Sequence, residues 1–418
     1  MADAPTLDEF ETEVRTFLDA HAQPRPPAQE FVWGKGDDDV AMFEEVDADT
    51  EARQLNEAKG WLKTRAEADL HWIAGPTELG GRGLSRDHAL LYGRLESGYQ
   101  TPKQSFFGIG FGMVAPTIQA HGTEATTAYL NRMYSGDLVG CQLFSEPAAG
   151  SDLAGLQMRA DRDGDEWILN GQKVWTSGAH YSDIGEVICR TDADLPKHKG
   201  LTGFVVDMHA PGVEVRPLRQ MTGGSSFNEV FFSDVRVPDD HRLGDVNMGW
   251  TVALTTLMNE RASIGGGSGS GGTGLVSIVR LIEMARAFDR ADDPVVRDAL
   301  MRLYTGYQVS RYTNMRAAAN LKAGGLPGPE MSIGKLALTA NLTATTEIVS
   351  LILGPRLIAD TGEWGTFAWS TFATGTPGMR IAGGSDETLR NIVSERVLGL
   401  PKEPGIDSKS PFKDLLKA

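Results

Sequence analysis

Positive charge is in short supply in this chain: 40 lysines and arginines stand against 56 aspartates and glutamates, a formal net charge of −16. A protein that tracks nucleic-acid phosphates must present a basic face, so a nucleic-acid partner is excluded. A small anionic ligand is not, because a few local arginines can hold one inside an acidic protein. Cysteine is scarcer still. Only Cys141 and Cys189 occur, with no CxxC pair, which rules out a disulfide framework and fits a reducing cytoplasm. The 8 histidines are scattered without ligand spacing, so no metal site is expected. No apolar run approaches the ~20 residues that span a bilayer, and no membrane insertion is expected. The N-terminal stretch "MADAPTLDEFETEVRTFLDAHA" is acidic and amphipathic, unlike a secretory signal or an Arg-rich transit peptide.

What is present is enough chain, 418 residues, for two or three domains. Residues 1–135 read as helices: Leu7, Phe10, Val14, Phe17 and Leu18 recur at helical spacing, a second amphipathic stretch covers 49–66, and Ser85 stands at an N-cap before "RDHALLYGRLESGY". The texture then changes. Over 136–240 come short β-type runs, "VGCQLFS", "EWILNGQKVWT", "EVICRT", "TGFVVDM", "VEVRPL" and "EVFFSDVRV", punctuated by glycine. This spacing predicts a barrel or sandwich, with tight turns at Asp163-Gly164 and Asn170-Gly171. Helical patterning returns over 241–418, with Asp293-Pro294 and Ser385 at helix starts and acids in the first turn after Ser385. The fold class is α+β: an N-terminal helical domain, a central β-barrel-like domain and a C-terminal helical domain.

One motif misleads. Gly267, Gly269 and Gly272 satisfy GxGxxG, but a helix precedes them and no βαβ unit surrounds them. They read as a close-packed or flexible segment instead.

The strongest chemical signal is "LFSEPAAGSDLAG", residues 143–155. Small residues there let a ligand approach the backbone, whose N–H groups and neighbouring hydroxyls bind oxyanions. Trp175 and Ser177 follow at the end of a β-run, then "GFVVDM", "FFSDVRVP", "LMNERA" and "GGSDETLRNIVSERVLGLP". These elements, in this order over roughly residues 70–400, resemble the acyl-CoA dehydrogenase family.

The resemblance implies that the C-terminal helices form a four-helix bundle, with a noncovalent FAD between the β domain and that bundle, an acyl-CoA substrate, an electron-transfer flavoprotein as partner, and a homo-oligomer, dimer or tetramer. It places Gln142, Phe144 and Ser145 on the pyrimidine side of the flavin, with Trp175 and Ser177 against the ring. Ser151 falls near the flavin phosphates and the CoA arm, Ser385 and Glu387 join the cofactor contacts, and Arg261 joins the substrate contacts. The family's reaction needs a carboxylate aimed at the substrate α-carbon and hydrogen-bond donors on the thioester oxygen. Many members carry that carboxylate immediately before the glycine preceding the last helix, where this chain has Gly383. A minority carries it on the first helix of the C-terminal domain, directly before an arginine, as Glu260 precedes Arg261 here. Glu260 is therefore expected to be the base, and Gly383 to contribute its backbone N–H, a donor independent of any side chain.

The chain departs from the family where FAD is usually gripped by a neighbouring subunit: "ARAFDRADDPVVRDAL" and "LIADTGEWGTFAWSTF" replace the familiar segments. Arg286, Arg290 and Arg297 are the candidate replacements. Two other readings compete: an oxidase of the same fold that reduces oxygen directly, and a non-catalytic subunit of a hetero-oligomer.

Overall fold

The computed structural model describes residues 4–415 except 28–29, 43–44, 266–275, 323–327, 403 and 405–408; it leaves out the side chains of 261–265, 318 and 320–322. The GxGxxG run therefore lies outside the described residues.

Helix α1 (Leu7–His21) starts in a capping box, with Thr6 and Glu9 each bonding the other's backbone N–H. Such a cap stabilises a helix by about 1 kcal/mol. Its apolar stripe, Phe10, Val14, Phe17 and Leu18, is buried against α2 (Ala48–Glu67) and α3 (Arg86–Glu96). Ser85 precedes α3 as expected, yet its hydroxyl makes no cap bond; it contacts His88 Nδ1 instead. Two-residue strands β1 (Gln23–Pro24) and β2 (Tyr99–Gln100) pair beside this core, and α4 (Ala115–His121) and α5 (Glu124–Tyr134) complete the N-terminal helices.

All six β-runs are strands: β3 (Gly140–Leu143), β5 (Glu166–Ser177), β6 (Ile184–Arg190), β7 (Leu201–Asp207), β8 (Val213–Leu218) and β9 (Phe227–Pro238). Sequence patterning missed β4 (Arg159–Asp163), because "RADRD" is exposed at four of its five positions and carries no apolar alternation. With β10 (Arg242–Leu243) they form one sheet in the order β10-β7-β6-β4-β5-β9-β8, and β3 pairs in parallel with β6. Side chains from six strands, among them Leu143, Trp167, Val187, Phe204, Val230 and Phe232, meet in a single core, so the sheet curls around its own interior. Asp163-Gly164 is the expected turn between β4 and β5. Asn170-Gly171 is not a turn. It lies inside β5 at a bulge, where a Cβ on Gly171 would come within 2.7 Å of the Met158 side chain.

The C-terminal helices are α6 (Gly249–Gly265), α7 (Ile278–Ala287), α8 (Pro294–Lys322), α9 (Met331–Leu353), α10 (Ala368–Met379) and α11 (Asp386–Ile392); α12 (Phe412–Leu415) follows. Asp293 Oδ1 accepts the Val295 N–H at the start of α8, as its sequence predicts. The span Met331–Leu357 is long and apolar enough to cross a membrane by length and hydropathy. The expectation drawn from apolar runs missed this because Lys335, Asn341 and several threonines interrupt the sequence. Half of its most apolar window is buried, and α9 packs against α6, α8, α10 and α11 as the central core helix.

Candidate active site

The first wall of the site is the C-terminal ends of β3 and β5. The Val174 N–H donates to the Ser145 carbonyl at 2.9 Å, and the buried Lys173 ammonium donates to the Phe144 carbonyl at 3.0 Å. These bonds bring "QLFS" beside "VWTS", so Gln142, Phe144, Ser145, Trp175 and Ser177 form one rim. Lys173 also pairs with Glu146 at 2.9 Å, and Glu146 accepts the N–H groups of Gln157 and Met158 at 2.7 and 3.0 Å. The loop between β3 and β4 is thus tied at both ends. Arg190 secures its far side by donating to the carbonyls of Ala154, Leu156 and Lys197. Ser151 lies exposed on this loop beside Asp152, which pairs with Lys197 at 2.7 Å.

The rim is shaped to receive a ligand. Trp175 holds φ +62 and remains 57% exposed, with an edge contact to the Phe227 ring, centroids 6.0 Å apart, to set against a backbone cost of roughly 1–3 kcal/mol. A register shift between Lys173 and Thr176 on the β5–β9 ladder turns this indole out of the sheet. The half-buried hydroxyls of Ser145 and Ser177 bond to no described residue, and Thr176 Oγ1 is buried without a partner.

The second wall is helical. Glu260 is half-buried on α6. One turn earlier, Thr256 Oγ1 lies 2.6 Å from Glu186 Oε1, and Glu186 is the register partner of Gln142 across the β3–β6 pair. Glu260 therefore sits over the strand pair that carries the rim. On its other side is Lys335 of α9, fully buried, whose charge interacts with Glu260. Lys335 Nζ donates to the Gly384 carbonyl at 2.8 Å, which brings the glycine loop before α11 into the same site. Burial lowers the Lys335 pKa, opposed by the charges of Asp386 and Glu260.

Gly383 and Gly384 hold φ +69 and +91. A side chain at Gly383 would occupy the left-handed region, at a cost of roughly 1–2 kcal/mol, so this loop geometry suits glycine and not a carboxylate-bearing residue. The Gly383 N–H bonds to no other described backbone group. Ser385 caps α11 by accepting the Thr388 N–H at 3.3 Å.

The first-turn acids behave differently from expectation. Asp386 is only 4% exposed and serves as a hub, accepting from Arg380 Nε at 2.8 Å and Thr339 Oγ1 at 2.9 Å, with Lys335 at 3.6 Å. Burial alone would raise its pKa; the bonds from Arg380 and Thr339 and the nearby lysine bring it below the ordinary value. Glu387 is exposed and pairs with Arg390 at 3.6 Å. The Arg261 side chain lies outside the described residues. Arg286, Arg290 and Arg297 each pair with a nearby acid, Glu283, Asp293 and Asp292.

Sequence reasoning missed Glu186 and Lys335. Each is a lone charge in an otherwise apolar or neutral run, "IGEVIC" and "SIGKLAL", a signal visible in the sequence once burial is suspected.

Comparison with known proteins agrees with this geometry. Residues 141–235 match the acyl-CoA dehydrogenase middle domain and 247–398 the acyl-CoA dehydrogenase C-terminal domain. The chain is 37% identical over 361 residues to the acyl-CoA dehydrogenase IpdE1 of Mycobacterium tuberculosis, covering 84% of this chain and 90% of that protein. It is 38% identical over 334 residues to the acyl-CoA dehydrogenase FadE34 of the same organism, covering 79% of this chain but only 44% of FadE34. Among solved structures, the Tcur3481-Tcur3483 steroid ACAD superposes with a TM-score of 0.69 at 26% identity, over 96% of this chain and 99% of that one. The chain belongs to the acyl-CoA dehydrogenase family. It is accordingly an FAD-dependent oxidoreductase, and the exposed indole and free hydroxyls of the β3–β5 rim fit that cofactor.

Proposed function

We propose that this enzyme forms the α,β double bond of an acyl-CoA thioester, with Glu260 as the base. The carrying observation is that Glu260 lies between the rim strand pair, through Thr256 and Glu186, and the Gly383–Gly384 loop, through Lys335. Glu260 takes the α-proton, and the Gly383 N–H donates to the thioester oxygen where enolate-like charge develops. Ser145, Ser177, Trp175, Gln142 and Phe144 hold the flavin ring, with Ser151, Ser385 and Glu387 at its edges. Bound FAD supplies the acceptor for the β-hydrogen, which leaves as hydride. Arg261 directly follows the base and is assigned to substrate binding.

The acyl group is assigned to the bulky, ring-bearing class. Support comes from the structural neighbour titled a steroid ACAD. Electrons pass to an electron-transfer flavoprotein in the cytoplasm. The chain assembles with itself: Met301, Val309, Tyr312 and Met315 of α8 are each more than half exposed, a run of apolar surface suited to another subunit. Anaerobic flavin bleaching across straight-chain, branched and fused-ring acyl-CoAs tests the substrate. Ring-bearing thioesters should bleach fastest, and bleaching by short straight chains alone would refute the assignment. Reoxidation of the reduced flavin in air within the turnover time would mark an oxidase instead. A strictly monomeric mass, or FAD uptake only with a second polypeptide, would refute self-assembly.

A further inference from the structure

Glu186 is a charged residue type at the centre of β6, a strand buried at every position, and its side chain is 0% exposed. Its carboxyl faces α6, not solvent. Three oxygen–oxygen contacts run in series from it. Glu186 Oε1 is 2.6 Å from Thr256 Oγ1, Thr256 Oγ1 is 2.8 Å from Thr117 Oγ1, and Thr117 Oγ1 is 2.9 Å from the Met113 carbonyl oxygen.

Counting protons fixes the direction of the chain. The Met113 carbonyl can only accept, so Thr117 must donate to it. Thr117 then has no proton left, and Thr256, whose other acceptor is the Val252 carbonyl at 3.3 Å, donates across the shorter 2.8 Å contact to Thr117. The 2.6 Å contact is left for Glu186 to fill, so the carboxyl carries the third proton on Oε1 and donates it to Thr256. An ionised Glu186 would leave one of the three contacts as two lone pairs face to face. Burial acts in the same direction, pushing the Glu186 pKa up to about 8, with the Thr256 contact opposing and the charge of Glu260 adding to it. Glu186 Oε2 is buried with no partner among the described residues, which an uncharged carbonyl oxygen tolerates far better than a carboxylate does.

We propose that Glu186 is a positioning residue that keeps its proton during turnover, locking Thr256 and so setting the placement of Glu260 one helical turn beyond. Thr256 and Glu260 are four residues apart and share a face of α6. Among the described residues the groups around Glu186 leave Glu260 as the single negative neighbour: Thr256 and Glu260 come from α6, Thr117 and Met113 from α4 and the turn before it, Gln142 from β3 and Val205 from β7. Lys335 reaches Glu260 from the far side. A neutral Glu186 anchors the base without adding a second negative charge. The role of Glu260 rests on the function proposed above; the protonation of Glu186 does not.

Two measurements on the FAD-loaded enzyme test this. Infrared spectroscopy of the unmodified protein should show a protonated-carboxyl C=O stretch at neutral pH, fading as pH rises through about 8 and missing from Glu186→Gln. Glutamine retains a donor for Thr256 and a neutral oxygen, so the variant should reduce its flavin at the parent's rate at neutral pH. Above the ionisation of Glu186 the parent should slow by up to about tenfold per pH unit while the variant does not. Absence of the band in the parent would overturn the proposal. So would superimposable pH–rate profiles in an enzyme that Glu260→Gln slows, or a large loss of rate in Glu186→Gln at neutral pH with full FAD. If Glu260 is not the base, the infrared band persists and only the difference in pH–rate profile is lost.

Discussion

Lys335 Nζ lies 2.8 Å from the carbonyl oxygen of Gly384, joining the central core helix to the loop that carries the Gly383 N–H. The same lysine is 3.6 Å from Asp386 and interacts with Glu260. Lys335→Met should therefore do two separable things. It leaves Asp386 with Arg380 as its sole cation, and truncating one partner of a buried ion pair typically costs about 3–5 kcal/mol. It also frees the glycine loop. Denaturant unfolding should show the first effect, and slower flavin reduction at unchanged FAD content the second. Parent-like values of both would remove Lys335 from the account.

Trp175 separates stability from cofactor binding. Its side chain is largely exposed and its backbone sits at φ +62, where glycine is at ease. Trp175→Gly should leave the protein as stable as the parent, or about 1 kcal/mol more so, while weakening FAD binding. A drop in melting temperature of the cofactor-free protein would show that the indole is structural.

The Lys173–Glu146 pair supports the loop beneath the rim. Lys173→Met strands Glu146 in a buried position and should destabilise the fold by about 3–5 kcal/mol. FAD affinity should fall with it, because the Phe144 carbonyl loses its anchor. Unaltered FAD affinity would mean that the rim does not depend on this tie.

Glu186 also predicts a pH dependence of stability. Its folded-state pKa, about 8, lies above the ordinary 4.5, so the fold holds a proton that the unfolded chain releases. The stabilisation from the neutral acid is complete below about 4.5 and is lost as pH rises through 8. Across that window the slope approaches 1.4 kcal/mol per pH unit at most, that is roughly tenfold in the folding constant. Urea unfolding should show the parent losing stability relative to Glu186→Gln as pH rises across this window. Equal losses would contradict it.

The sequence carried the outline well because its patterns are local. Helix α1 announces itself through Thr6, Glu9 and an apolar stripe, and six strands through alternation and glycine punctuation. β4 escaped because its residues are polar, and Asn170-Gly171 misled because a bulge and a turn share the same residue chemistry. In the site, motif order was enough to select both ends of the rim, Ser145 and Trp175, and to select Glu260. What held them together was not legible. Lys173, Glu186 and Lys335 lie 27, 70 and 51 or more residues from Glu146, Thr256 and Asp386, their partners. No local pattern encodes such pairings. Asp386 is the first-turn acid expected of α11, but its further partners were not legible for the same reason, since only the fold delivers Thr339 and Lys335 to it.

The central claim, that Glu260 is the base, is tested most directly by anaerobic stopped-flow reduction of Glu260→Gln by a saturated acyl-CoA. Glutamine keeps the shape of the side chain and deletes the basic oxygen, so FAD content and assembly should match the parent. Losing a positioned general base costs about 10²–10⁴-fold, and flavin bleaching should slow by that much. Bleaching at the parent's rate would contradict the account and place the base elsewhere.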